Sequence, residues 1–166
     1  MKKTLLCSVL LITVMFLIGI SEANAGNTYK FKSDCPNPAG GKMVKDDWDF
    51  YKCECVSFAA YKLNQIGVAF KNDYKKVHFG PATNWSTAAQ SAGISQDSTP
   101  KVGDIAWFNS SRGHVAYVEK LNTVTGKDGK TTVSTIDIVE YNYTTSYDYS
   151  TRTIKPNTVS KFIHFK

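Results

Sequence analysis

Two cysteines stand one residue apart in FYKCECVSFAAYKLNQIG, residues 50–67. A buried thiol there is ordinary packing. A thiol at a helix N-terminus is a nucleophile, because unpaired N–H groups and the helix dipole favour the thiolate. Apolar or small residues recur from Cys55 at Val56, Ala59, Ala60, Leu63 and Ile66, the spacing of one helical face. Cys55 therefore falls in the first turn and Cys53 outside it. To cleave an amide, the thiol also needs a base that later serves as an acid, and donors for the developing oxyanion. Of the three histidines, His114 opens the strand-like GHVAYVEKL behind Arg112-Gly113, where an imidazole can stand at a sheet's edge. His78 sits in a loop without periodic context and His164 beside the chain end, so both read as structural. In VEYN, Glu140 and Asn142 are two apart, and an extended strand turns both side chains to one face. A carboxylate and an amide on a neighbouring strand are what an imidazole needs for orientation.

These residues need a frame. Gly67 is a natural stop for the first helix. Residues 71–81 read as a polar, aromatic loop, and NWSTAAQSAG from Asn84 as a second short helix closed by Gly93. The period then changes from helical to alternating: DIAWFN, GHVAYVEKL, TVSTIDIVEYN and SKFIHF read as strands, with TGKDGKT a hairpin connection. Helices followed by a run of antiparallel strands define an α+β domain with helices packed on one side of a sheet. Trp107 and Phe108 read as core. Trp85 and Tyr141 are ambiguous between packing and a substrate groove.

The first 25 residues read as an export signal: a charged MKK, an apolar run, and the small-x-small ANA ending at Ala25. That run falls short of the roughly 18 or more residues of a comfortable membrane span. The mature domain is then 26–166, without a membrane segment once the leader, with Cys7, is removed. The chain carries 20 basic and 14 acidic residues; without Lys2, Lys3 and Glu22 these become 18 and 13, a net charge of +5. The basic residues are scattered and form no dense run, which argues against nucleic acid and suits an anionic wall, membrane surface or glycan. Three cysteines remain, Cys35, Cys53 and Cys55, and in an oxidising compartment an odd count leaves one unpaired. A Cys53–Cys55 bridge would close a strained ring, so Cys35 is the partner for either. Pairing with Cys53, worth roughly 3 kcal/mol in the loop-entropy picture, frees Cys55; pairing with Cys55 removes it from chemistry. No second Cys or His pair stands at zinc spacing, so no metal is indicated.

CECVSFAAYKLN, TPKVGDIAWF with RGHVAYVE, and IVEYNY, in that order and spacing, resemble the CHAP family of cysteine, histidine-dependent amidohydrolases/peptidases. The resemblance runs from about Cys35 onward. It implies a papain-like α+β fold, Cys55 as nucleophile, His114 as general base and acid, and Glu140 with Asn142 as the orienting group. It implies amides of peptidoglycan as substrate, in the stem peptide, the cross-link or the N-acetylmuramoyl-L-alanine bond; relatives sometimes carry calcium, but the sequence shows no dense Asp loop to bind it, so no cofactor is expected. Cys53 lies outside the family's commonest pattern, which fits a disulfide with Cys35. On the substrate side the candidates are Trp85, Tyr141 and Glu54. Glu54 departs from the pattern: many relatives carry Gln directly before the nucleophile, and a carboxylate opposes a developing oxyanion. The expected location is the periplasm or the exterior, as a housekeeping hydrolase or as a toxin with an immunity partner. The alternative is a catalytically silent wall-binding domain.

Overall fold

The computed structural model describes residues 26–35 and 43–166. The leader expected over residues 1–25 lies outside them. Helix α1 (Cys55–Gln65) begins where the apolar period begins, after Glu54 in extended backbone. It buries Val56, Phe58, Ala59, Ala60 and Leu63, and ends as Gly67 takes a left-handed φ of 84°. Residues 71–81 are not all loop. Strands β1 (Asp73–Tyr74) and β2 (Val77–His78) pair antiparallel across Lys75 and Lys76, whose φ values are 49° and 64°. Lysine gives no signal for that conformation, which glycine or asparagine would have announced. Helix α2 (Trp85–Ser91) follows one 3-10 turn at Ala82–Asn84.

The sheet comprises β3 (Gln96–Asp97), β4 (Ile105–Phe108), β5 (His114–Thr125), β6 (Thr131–Tyr141), β7 (Tyr149–Ile154) and β8 (Lys161–Ile163). Its spatial order is β3-β8-β4-β5-β6-β7, and every pairing is antiparallel. The α+β class expected from the sequence is the class observed. The alternating strands were legible where one face is apolar; β7, reading YSTRTI, is half-exposed at an edge and offered no such contrast.

The two faces of the sheet do different work. Ile105, Trp107, Val115, Tyr117, Val139 and Tyr141 join α1 and α2 in the main core. Alternate positions Ala106, Ala116, Val118, Ile136 and Ile138 form a second cluster with Val159 and Phe162. The main core holds an aromatic nest in which Phe50, Phe70, Phe79 and Phe165 surround the fully buried Trp85. Each of the buried Phe50, Phe70 and Phe79 rings contributes about 1.5–3 kcal/mol relative to exposure.

The N-terminal arm is tied to the start of α1. Cys35 and Cys53 form a disulfide with a Cα–Cα distance of 5.8 Å, and Cys55 is free. Of the two pairings open on cysteine count, this is the one that spares the helix thiol. Tyr29, fully buried, accepts the Cys53 N–H at 3.2 Å and hydrogen-bonds Ser57, which in turn donates to Asp46. Asp46 also accepts the N–H groups of Trp48 and Phe50. The backbone entering the helix is therefore held from both sides. No helix among the described residues is long and apolar enough to cross a membrane.

Candidate active site

Cys55 is the first residue of α1 and lines a cleft of about 550 Å³ with Glu54, Arg112, His114, Asn142 and Tyr143. Only 9% of its surface is exposed. Burial pushes the thiol up to about 12, and the Glu54 and Glu140 carboxylates add to the rise. The N–H groups of Val115 and Val56 oppose them. The helix-terminal donors thus act in the expected direction, but burial outweighs them. The resting sulfur is a neutral thiol.

His114 reaches the cleft because Gly113 lets β5 begin in close contact with the turn before α2. Gly113 has a φ of 62°, and a Cβ there would lie 2.4 Å from the Thr83 nitrogen. The imidazole is buried, and its Nε2 lies 2.8 Å from Glu140 Oε2. A carboxylate partner assigns the proton to Nε2, which leaves Nδ1 as the acceptor. Among the described residues no hydrogen bond joins the imidazole to Cys55. The two approach the end of β5 from different sides: Cys55 belongs to the main core under α1, whereas His114 and Glu140 share the strand alternation of the second cluster. The Val115 amide, adjacent to His114, acts on the sulfur.

Glu140 is fully buried. Desolvation alone would raise its pKa, but hydrogen bonds and charge from His114 and Arg152 outweigh burial and hold it below the usual carboxylate range. Arg152 Nε donates to Oε1 at 2.6 Å and Nη2 to Oε2 at 3.0 Å, and Ser150 Oγ donates to Oε1 at 3.3 Å. Arg152 carries no signal in the sequence: YSTRTI lacks an apolar alternation, and the link to Glu140 is a cross-strand contact.

Asn142 does not join Glu140 at the imidazole. β6 ends at Tyr141, and Asn142 takes a left-handed φ of 55°, which breaks the two-residue alternation. Its amide donates to Glu54 Oε2 at 2.7 Å, and its Oδ1 accepts the Tyr147 N–H at 2.9 Å. Glu54 is thereby turned onto Asn142. Trp85 and Tyr141, expected as candidates for the substrate side, are fully buried. Trp85 Nε1 donates to Gly80 O, and the Tyr141 hydroxyl accepts from Asn27. Neither lines the cleft; their size and apolar bodies make them core. The aromatic side chains that do line it are Phe50, Tyr51 and Tyr143. His78 pairs with Asp73 at the cleft's exposed margin. His164 is buried between Asp104, 2.9 Å from Nδ1, and Asp97, 3.1 Å from Nε2 but in a geometry that makes no hydrogen bond.

A thiol at a helix start, an imidazole opening the next long strand and a buried carboxylate behind it on an antiparallel sheet define a papain-like α+β class. The CHAP domain model matches residues 45–142, more than half of the sequence, and the chain belongs to the CHAP family. The fold is similar to that of an N-acetylmuramoyl-L-alanine amidase from Staphylococcus aureus, with a TM-score of 0.58 and 26% identity over 83% of this chain and 37% of the amidase chain. The staphylococcal secretory antigen SsaA of S. aureus strain NCTC 8325 / PS 47 is 48% identical over 46 residues, 27% of this chain and 18% of the antigen. The secretory antigen ssaA1 of strain COL matches to the same extent. The chain thus spans well under half the length of these relatives.

Proposed function

We propose that the protein is an exported cysteine amidohydrolase acting on amide bonds of peptidoglycan. The observation that carries this reading is the free Cys55 thiol sharing one cleft with an imidazole whose far nitrogen is held by a buried carboxylate. The family, the amidase neighbour and the secretory antigens support the substrate class and the export.

In this mechanism His114 Nδ1 takes the thiol proton as Cys55 Sγ attacks the amide carbon, and Glu140 compensates the imidazolium that forms. As the first residue of α1, Cys55 has a backbone N–H with no acceptor one turn back in the helix, available to donate to the developing oxyanion. His114 then gives its proton to the leaving amine as the C–N bond breaks, leaving a thioester. Water attacks the thioester, His114 takes the water's proton, and Cys55 Sγ leaves and recovers its own. A neutral resting thiol requires that sulfur and imidazole close up as substrate binds, and hydrogen bonds that tighten in the Michaelis complex are common.

Purified peptidoglycan incubated with the mature protein should release soluble fragments and new amino groups, and Cys55→Ser should release none. Mass spectrometry of the fragments identifies which amide is cut. Equal, inert traces from both proteins overturn the reading. They would support instead a silent wall-binding domain, which the raised Cys55 pKa and the neighbouring Glu54 carboxylate favour.

A further inference from the structure

Arg152 is the one cation in contact with the Glu140–His114 pair among the described residues, and the mechanism above leaves it without a role. Its guanidinium grips both oxygens of Glu140 in a two-pronged contact, the arrangement that fixes a carboxylate's plane as well as its place. The guanidinium is itself held between two rings, 5.4 Å from Phe108 and 3.9 Å from Tyr143. Tyr143 in turn lies against the His114 ring, with centroids 4.6 Å apart. Arg152, Glu140, His114 and Tyr143 therefore form one closed circuit at the end of the sheet, with Arg152 contributed by the edge strand β7.

We propose that Arg152 is a positioning residue: its fork holds Glu140 aimed at His114 Nε2, and its stack on Tyr143 holds the imidazole's face. This inference rests on the proposed Cys55–His114 chemistry only for its effect on rate; the arrangement itself can be tested without substrate. The groups in contact with the Glu140–His114 pair are Arg152 from β7 and Tyr143 from the turn after β6, and Cys55 and Glu54 at the start of α1 and Arg112 before β5 share the cleft with His114. Removing the positive charge that touches Glu140 favours proton uptake by the pair, whichever member receives the proton, so the pair titrates at higher pH.

The test is an NMR titration of the His114 ring in the intact mature protein, run on wild type, Arg152→Gln and Arg152→Lys. The same samples are assayed for peptidoglycan hydrolysis against pH. In Arg152→Gln the ring's midpoint should rise, and the acid limb of hydrolysis should move with it. Arg152→Lys, which keeps the charge but not the fork, should fall between the two. A merely structural arginine would change thermal stability and leave the midpoint in place. A midpoint in Arg152→Gln coincident with wild type overturns the proposal. If that variant does not fold, coincidence in Arg152→Lys overturns it instead. A shifted midpoint in a protein that never hydrolyses peptidoglycan upholds Arg152's role and sinks the substrate reading alone.

Discussion

A cysteine at the head of a helix is commonly credited with a lowered pKa, but residue 55 shows how burial reverses that sign. Two backbone N–H groups favour the thiolate, yet desolvation and two carboxylates carry the thiol up to about 12. Sulfur reactivity toward iodoacetamide should therefore be slow at neutral pH and climb steadily into the alkaline range, without the neutral-pH plateau of a preformed thiolate–imidazolium pair. Glu54→Gln should quicken alkylation of the Cys55 peptide at a fixed pH, because removing the carboxylate lowers the thiol's pKa. The glutamine retains an oxygen for the Asn142 amide, so the contact 2.7 Å long in the wild type survives. Alkylation unchanged or slower in the variant would show that the carboxylate does not act on the sulfur.

Among the elements, the start of β5 decides whether His114 reaches the cleft at all. The strand enters through Gly113 with backbone against backbone, since the Ala82 and Thr83 main-chain atoms occupy the space of a side chain. Gly113→Ala combines a left-handed φ, costing about 1–2 kcal/mol, with an overlap that backbone must move to relieve. Equilibrium urea unfolding should register a loss of about 3 kcal/mol or more, near the top of the single-substitution range. A loss under 1 kcal/mol would mean that the approach is loose. The end of β6 offers the complementary case. There a left-handed residue stops the alternation, and Asn142 leaves the register of Glu140 for the neighbourhood of α1.

For the whole molecule, the disulfide binds the N-terminal arm to the loop that presents the nucleophile. Closing 18 positions stabilises the fold by roughly 3 kcal/mol through the unfolded chain. A combined Cys35→Ser, Cys53→Ser variant should lose roughly 10 °C in thermal midpoint. It should still melt cooperatively, because the aromatic nest around Trp85 and the six-stranded sheet do not depend on the bridge. A midpoint equal to wild type would show that the arm is held by Tyr29 and its partners alone.

Local pattern was enough for much of this protein. Period fixes which face of a helix or strand is apolar, so α1, α2, the main strands and the α+β class could be read directly. Motif order pointed to Cys55, His114 and Glu140. Tertiary structure decided what depends on contacts between distant parts of the chain. It turned Asn142 onto Glu54, sank Trp85 and Tyr141 into the core, and chose Cys53 over Cys55 as the partner of Cys35. It also delivered Arg152 from an edge strand to Glu140. Periodicity describes a residue's own segment; the environment that sets a pKa or an ion pair is assembled from segments far apart in sequence, and only folding brings them together.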